Sequence, residues 1–336
     1  MNTPGVRSRL IGIEERDAWH AALTGIPHGY WHGWDACAAI AKGTGLPTYL
    51  FACEDATTGA RAACVFSERE WQGEVDIFTP AGFGGFVGVA DATSLRAHWL
   101  TMIAERGYVC GYFALHPVLA NPALHENLAE TNTLYVLDLA AYPNLTFDRS
   151  VRRDLRDWQQ SGRSFVTDRD RLVDFVLQNY APFMQSMNTN PASIWPQETL
   201  RTMCLDPNLM MAGVADEQGI CAMYSFAMSA FGAEAHLNIS VRGGREFTTA
   251  LIGWGIGELA ARRVPWLNFG GGIVRGDTVA RAKEKFRPAH RSLTVAREIY
   301  RHESYRMLCE SAGSDTAASG GFFPAYRKRP TTTGAS

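Results

Sequence analysis

The sequence predicts an α+β protein of two domains, each a mixed β-sheet flanked by helices. Three observations lead there. At 336 residues the chain exceeds what one hydrophobic core usually organises. Hydrophobic residues make up 46% and charged residues 20%, the balance of a globular protein rather than a disordered or fibrous one. Finally, helical and strand patterns occur in two successive runs, each opening on a helix and continuing into strands.

The first run begins with helical periodicity over residues 33–43. Pro47 to Cys53 then reads as a strand, Asp55 to Gly59 as a turn and Ala62 to Phe66 as the returning strand. A further strand enters the glycine-rich turn Asp76-Ile77-Phe78-Thr79-Pro80-Ala81-Gly82-Phe83-Gly84-Gly85. A helix over 91–106 and strands over 108–115 and 133–139 complete the run. The second run opens on a charged amphipathic helix from Phe147 that stops near Gly162, a suitable C-cap. A helix over 168–187 follows, then a hairpin of Met210–Ala215 with Ile220–Ala230, a strand over 234–241, a helix over 247–262 and a strand over 264–269. The expected domains are 1–145 and 146–311, with the tail 312–336 returning to the first. The likeness of the two runs suggests duplication.

The net charge of −2 gives no global attraction to a polyanion, so such a partner needs a local patch. No apolar run reaches membrane-span length and the N-terminus carries no hydrophobic signal, which makes the cytoplasm the expected location. Seven cysteines without CxxC spacing read as reduced, mostly buried thiols, and no metal site is expected. The sequence is silent on oligomeric state.

The densest candidate site is Leu267–Phe286. Asn268 and the triplet Gly270, Gly271, Gly272 follow an apolar strand, and Asp277, Arg281, Lys283, Lys285 and Phe286 come next. Three glycines in a row are entropically costly and belong where the chain turns sharply or a ligand meets the backbone. Residues 281–291 carry Arg281, Lys283, Lys285, Arg287 and Arg291 against Glu284 alone, a candidate anion site. Arg149, Arg152, Arg153 and Arg156 are interleaved with aspartates; a solvated, salt-bridged helix face is favoured there over phosphate binding. His236 and Asn238 alternate on one strand face and, with Asn268, make either a polar patch beside the glycine turn or a structural hydrogen-bond cluster. His116 stands at a strand end with Asn121 in the following turn. His28 and His32 lack a third metal ligand, and no GxSxG supports a hydrolase triad. Gly253-Trp254-Gly255-Ile256-Gly257 lies inside a helical pattern and fits close helix packing better than dinucleotide binding.

These segments, in this order, resemble the FemAB-like branch of the GNAT acyltransferase superfamily from about Gly45 to Pro288. The most specific pieces are Asp76–Gly85 and Leu115–Asn121; the others are the arginine-rich helix ending in Ser161-Gly162, His236–Ser240 with the helix after it, and Asn268–Gly272 with Asp277 and Lys283-x-x-Phe286. The resemblance implies two tandem GNAT-like domains with an interdomain cleft, and transfer of an acyl or aminoacyl group to an amine. Lys283 matches the lysine that the family uses at the reacting carbonyl. It departs from the family at Ala282, Ala81 and Ala114-Leu115, positions expected to choose the acceptor.

An amine attacking an ester or thioester carbonyl develops negative charge on oxygen, and one well-placed donor stabilises it by roughly 3–4 kcal/mol. Lys283 and the amides of Gly270–Gly272 are the candidate donors. Asp277 and His116 are the first candidates for a base. Substrate contacts are expected from Gly82, Gly84, Gly85, Asn121, Arg152, His236, Asn238, Asn268, the glycine triplet and Phe286; Arg281, Lys285, Arg287 and Arg291 are expected on the donor. The turn Arg242-Gly243-Gly244-Arg245 misses the Arg/Gln-x-x-Gly-x-Gly/Ala spacing that holds the CoA pyrophosphate. That favours aminoacyl-tRNA as co-substrate, with acyl-CoA as the alternative, no resident cofactor, and a peptide or small-molecule amine as acceptor. A ligand-binding relative without catalysis is the third reading.

Overall fold

The computed structural model describes residues 5–189, 194–315 and 322–328. The first run of elements is β1 (Val6–Gly12), α1 (Arg16–Leu23), α2 (Trp34–Thr44), β2 (Thr48–Asp55), β3 (Arg61–Trp71), β4 (Glu74–Phe78), β5 (Phe86–Val89), α3 (Arg96–Arg106), β6 (Cys110–Ala114) and β7 (Leu128–Asp138). The second is α4 (Arg149–Gln160), α5 (Arg169–Ser186), α6 (Gln197–Leu205), β8 (Leu209–Asp216), β9 (Gly219–Ser229), β10 (Gly232–Ser240), α7 (Thr248–Ala261), β11 (Trp266–Asn268), α8 (Thr278–Glu284), β12 (Ala289–Ile299) and α9 (His302–Ser311).

Two compact units result. Unit 1 takes the chain up to Pro27, Leu46–Glu130 and the chain from Thr294 onward; unit 2 takes His28–Gly45 and Thr131–Leu293. This differs from a division at residue 145, for two reasons. The segment 28–45 is held in unit 2: Trp31 Nε1 donates to Glu234 at 2.7 Å, and Lys42 pairs with Glu198 at 2.5 Å. The later part of strand β12, from Thr294 on, pairs with β6 from Val295↔Ala114 to Ile299↔Cys110 and so belongs to unit 1.

Unit 1 orders its sheet β1-β2-β3-β4-β6-β12, with β5 beside β3. Neighbours are antiparallel except β4 and β6, which run parallel and are joined through α3. Its core is a cluster of aromatic rings, Phe51, Phe66, Phe86, Trp99 and Phe113, meeting edge to face. Part of the tail docks here: Tyr326 Oη donates to the buried Asp76 carboxylate at 2.9 Å and Arg327 Nε at 2.6 Å. Of the tail 312–336, residues 316–321 and those from 329 on lie outside the described residues.

Unit 2 repeats the plan with β7-β11-β10-β9-β8. Three antiparallel strands lead to a parallel fourth, β11, reached through α7; an antiparallel fifth, β7, comes from the earlier run of sequence. Each sheet is thus finished by a strand that the other half of the sequence supplies. The glycines of α7 do allow close packing: a Cβ at Gly253 would lie 2.5 Å from Leu155 of α4, and one at Gly255 would lie 2.1 Å from Phe226 of β9. All seven cysteines are buried and unpaired. Among the described residues no helix is long and apolar enough to cross a membrane, and no group of three His, Cys, Asp or Glu side chains could hold a metal.

Candidate active site

In unit 2, β10 and β11 pair over only two positions, Ala233↔Leu267 and Glu234↔Asn268. Strand β10 then bulges between Ala235 and Asn238, where the Leu237 N–H is taken by Ser225 Oγ at 2.8 Å instead of by the backbone ladder. The residues beyond the bulge line a cavity of about 330 Å³. Its walls carry Tyr224, Asn238 and Ser240 from the sheet, Thr248, Thr249 and Ile252 from α7, and Lys283, Lys285 and Phe286 at the end of α8. Phe183 and Met187 add apolar surface from α5 and the residue after it.

The glycine triplet shapes one side of this region. Asn268 is fully buried, and its Oδ1 accepts the Gly270 N–H at 2.9 Å. Gly270 has φ +72°, left-handed backbone that favours glycine. A Cβ on Gly271 would sit 2.8 Å from the Thr133 carbonyl, and one on Gly272 would sit 2.4 Å from Asp277 Oδ1. Close backbone approach therefore requires two of the three glycines, and turn geometry requires the other. Because the Gly270 amide already donates to Asn268, it is not available as an oxyanion donor.

Lys283 lies on α8 with its ammonium 2.5 Å from the Gly271 carbonyl oxygen. The side chain is half-buried. Burial pushes its pKa down to about 8, against a smaller upward pull from Asp277. Asp277 does different work from that expected of a base. It is the N-cap of α8, accepting from Ala280 N at 2.7 Å, Ile273 N at 2.7 Å and Val274 N at 3.2 Å. Those backbone donors hold its carboxyl below the usual range, which makes it a poor proton acceptor near neutrality. Its role is to fix the glycine loop and the start of the helix that carries Lys283.

Other expected residues fall around this centre in different ways. Asn238 and Lys285 line the cavity. Phe286 also borders it, but mainly as a core ring packed between Phe147 and Phe269. Arg281 donates to the Gly276 carbonyl, Arg287 pairs with Asp148 at 3.1 Å, and Arg291 is exposed on β12. Arg152 is exposed on α4. His236 is not beside Asn238 in the cavity wall; its ring sits between Trp31 and Trp195, with centroids 5.0 Å away on each side, and burial drives its pKa to about 3. The bulge separates the two side chains that strict alternation would have placed together.

His116 and the first glycine turn lie in unit 1. His116 Nδ1 accepts the N–H groups of Val118 and Leu119 at 3.2 and 3.1 Å, so it caps the turn that follows β6. Its backbone N–H donates to the Gly84 carbonyl. Gly82 and Gly85 have φ +56° and +79°, and a Cβ on Gly85 would meet Leu115 at 2.5 Å. Asn121 Oδ1 accepts from Ala123 N, closing the next turn. These are structural positions that fold the glycine turn back onto β6. Sequence reasoning missed Tyr224, Ser240, Arg245, Thr248 and Thr249 in the cavity wall; the bulge that gathers them has no signature in HLNIS.

No family model and no curated protein matches the chain. Solved structures do share its fold. FemX superposes with a TM-score of 0.61 at 11% identity, covering 90% of this chain and 99% of FemX. L-PGS from Bacillus licheniformis gives 0.57 at 11% identity, over 84% and 91% of the two chains. The C-terminal domain of a putative lysylphosphatidylglycerol synthetase from Agrobacterium fabrum gives 0.53 at 14%, over 86% and 94%. At these identities the likeness is one of fold: the chain shares the fold of FemX and L-PGS.

Proposed function

We propose that this chain is an acyltransferase that forms an amide bond, moving an aminoacyl group from aminoacyl-tRNA to an amine on a peptide, nucleotide-linked precursor or other small molecule. The observation that carries the reading is Lys283, a half-buried ammonium anchored on the Gly271 carbonyl in the wall of a cavity. The fold supports it, since a structure that shares it is named as a putative lysylphosphatidylglycerol synthetase.

In the reaction the acceptor nitrogen attacks the ester carbonyl carbon, and the carbonyl electron pair moves onto oxygen. Lys283 stabilises that oxygen. As the intermediate collapses, the C–O bond to the ribose breaks and the leaving oxygen takes a proton. With a pKa of about 8, Lys283 is protonated at pH 7 yet acidic enough to give that proton, and the proton lost by the attacking amine restores it. The acceptor needs no dedicated base, because an α-amine titrating near 8 is already roughly one-tenth neutral at pH 7.

The turn before α7 supports aminoacyl-tRNA over acyl-CoA. Its Gly244 and Glu246 amides donate to the Val241 and Gly243 carbonyls, and Arg242 pairs with Asp216, so these groups are occupied within the turn. Arg245 and the first turn of α7 in the cavity wall favour acyl-CoA as the second reading. The test presents labelled aminoacyl-tRNA and labelled acetyl-CoA separately with a pool of amine acceptors. Label reaching an amide only from tRNA is expected; label only from CoA refutes the donor, and label from neither refutes the transferase reading.

A further inference from the structure

Helix α4 presents four arginines on one face. At 100° per residue, Arg149, Arg152, Arg153 and Arg156 fall within an arc of about 100°. All four are exposed. Arg153 pairs with Asp154 at 3.0 Å, whereas Arg149, Arg152 and Arg156 make no ion pair among the described residues. The salt-bridged face expected from the interleaved aspartates therefore covers only a corner of the helix. Its apolar side, Val151, Leu155 and Trp158, is packed into the unit 2 core.

The start of α4 is stitched to the end of α8. Asp148 N–H donates to the Lys285 carbonyl at 2.9 Å, and Asp148 Oδ1 accepts from Arg287 Nε. Lys285 and Arg287 thus continue the arginine strip, and Val151, Asp154 and Lys285 line the cavity that holds Lys283. From Arg149 to Arg156 the helix rises about 10 Å. Charges repeated over that length suit a chain of phosphates rather than a single phosphoryl group. A bilayer is the poorer fit: a helix lying on lipid inserts an apolar face, and no large exposed apolar side chain lies on α4.

Building on the aminoacyl-tRNA reading, we infer that the outer face of α4, with Lys285 and Arg287, is the strip that grips the RNA backbone of the donor and leads its acylated end to the cavity. The test is binding of unacylated bulk tRNA to the full chain between 50 and 200 mM salt, measured by fluorescence anisotropy. A triple variant, Arg149→Gln with Arg152→Gln and Arg156→Gln, is compared with lysine at the same three positions. Each phosphate contact contributes a slope of about 0.7–0.9 in log K against log salt. The glutamine variant is expected to bind at least about tenfold more weakly, with a slope shallower by about two to three, and the lysine variant to keep the slope. Equal binding by the wild type and the glutamine variant overturns the strip and leaves the donor reading standing. No tRNA binding by the wild type overturns both. A difference seen only on phosphatidylglycerol vesicles overturns the strip in favour of a membrane surface.

Discussion

Replacing Lys283 by methionine should stabilise the fold while disabling the reaction. The side chain stays unbranched and is one atom shorter, but it loses the charge. Burial lowers the lysine pKa from 10.5 to about 8, and that difference corresponds to about 3 kcal/mol of penalty for holding the ammonium in the folded state below pH 8. Methionine removes the penalty but strands the Gly271 carbonyl, at a cost of about 1–2 kcal/mol. The balance is a gain of about 1–2 kcal/mol at pH 7. The unfolded lysine holds its proton up to about 10.5, so between pH 8 and 10.5 the unfolded state binds more protons and wild-type stability rises with pH. The advantage of methionine should therefore shrink across that window. Urea unfolding at pH 7 and at pH 10 measures it. Single-turnover amide formation should fall by about 10²–10³-fold, and the wild-type loss of rate above pH 8 should move to higher pH in Lys283→Arg. A methionine variant less stable than wild type at pH 7 refutes the desolvation argument; one whose rate is within about threefold of wild type refutes the oxyanion role.

Three further outcomes follow. In unit 1, burial would raise the Glu298 pKa, but hydrogen bonds and charge from His125 and Arg96 win and bring it to about 2. Its contribution is thus present above pH 4.5 and lost as pH falls toward 2. Glu298→Ala leaves the half-buried Arg96 with Glu126, at 3.7 Å, as its remaining ion-pair partner and should cost about 3 kcal/mol at pH 7 in urea unfolding. Gly271→Ala places a methyl group 2.8 Å from the Thr133 carbonyl. It should displace the carbonyl that seats Lys283, lowering kcat more than it raises KM in steady-state kinetics. Arg327→Ala together with Tyr326→Phe leaves the buried Asp76 with Arg69 as its remaining ion-pair partner, so the thermal midpoint should drop by several degrees; an unchanged midpoint contradicts a docked tail.

The elements with their own periodicity were readable. Helices α2, α4 and α5 and the β8–β9 hairpin lie within a few residues of the expected spans, because each carries its cap, turn or amphipathic stripe locally. Strand β12 was not readable: its first four residues are exposed, and its partner β6 lies far away in sequence. Its first three residues therefore read as the end of the basic segment 281–291. At the site, the glycine triplet and Lys283 were legible as a cluster, but the division of labour was not. Asp277 followed by Thr278-Val279-Ala280 carries a cap signature that could have separated it from a base. The separation of His236 from Asn238 depends on a bulge that only the pairing with β9 defines.

The borrowed strands also set the order of events at the ribosome. Strand β6 ends at Ala114, but the strand that covers it runs from Ala289 to Ile299. At about 5–20 residues per second, synthesis leaves that edge waiting for roughly 10–40 s. During this time an unpaired row of backbone donors and acceptors invites pairing with other chains. Strands β9 to β11 of unit 2 each follow a sheet neighbour in the sequence, so each of them meets a strand that is already made. The half of the molecule whose sequence comes first is thus the half that must finish last.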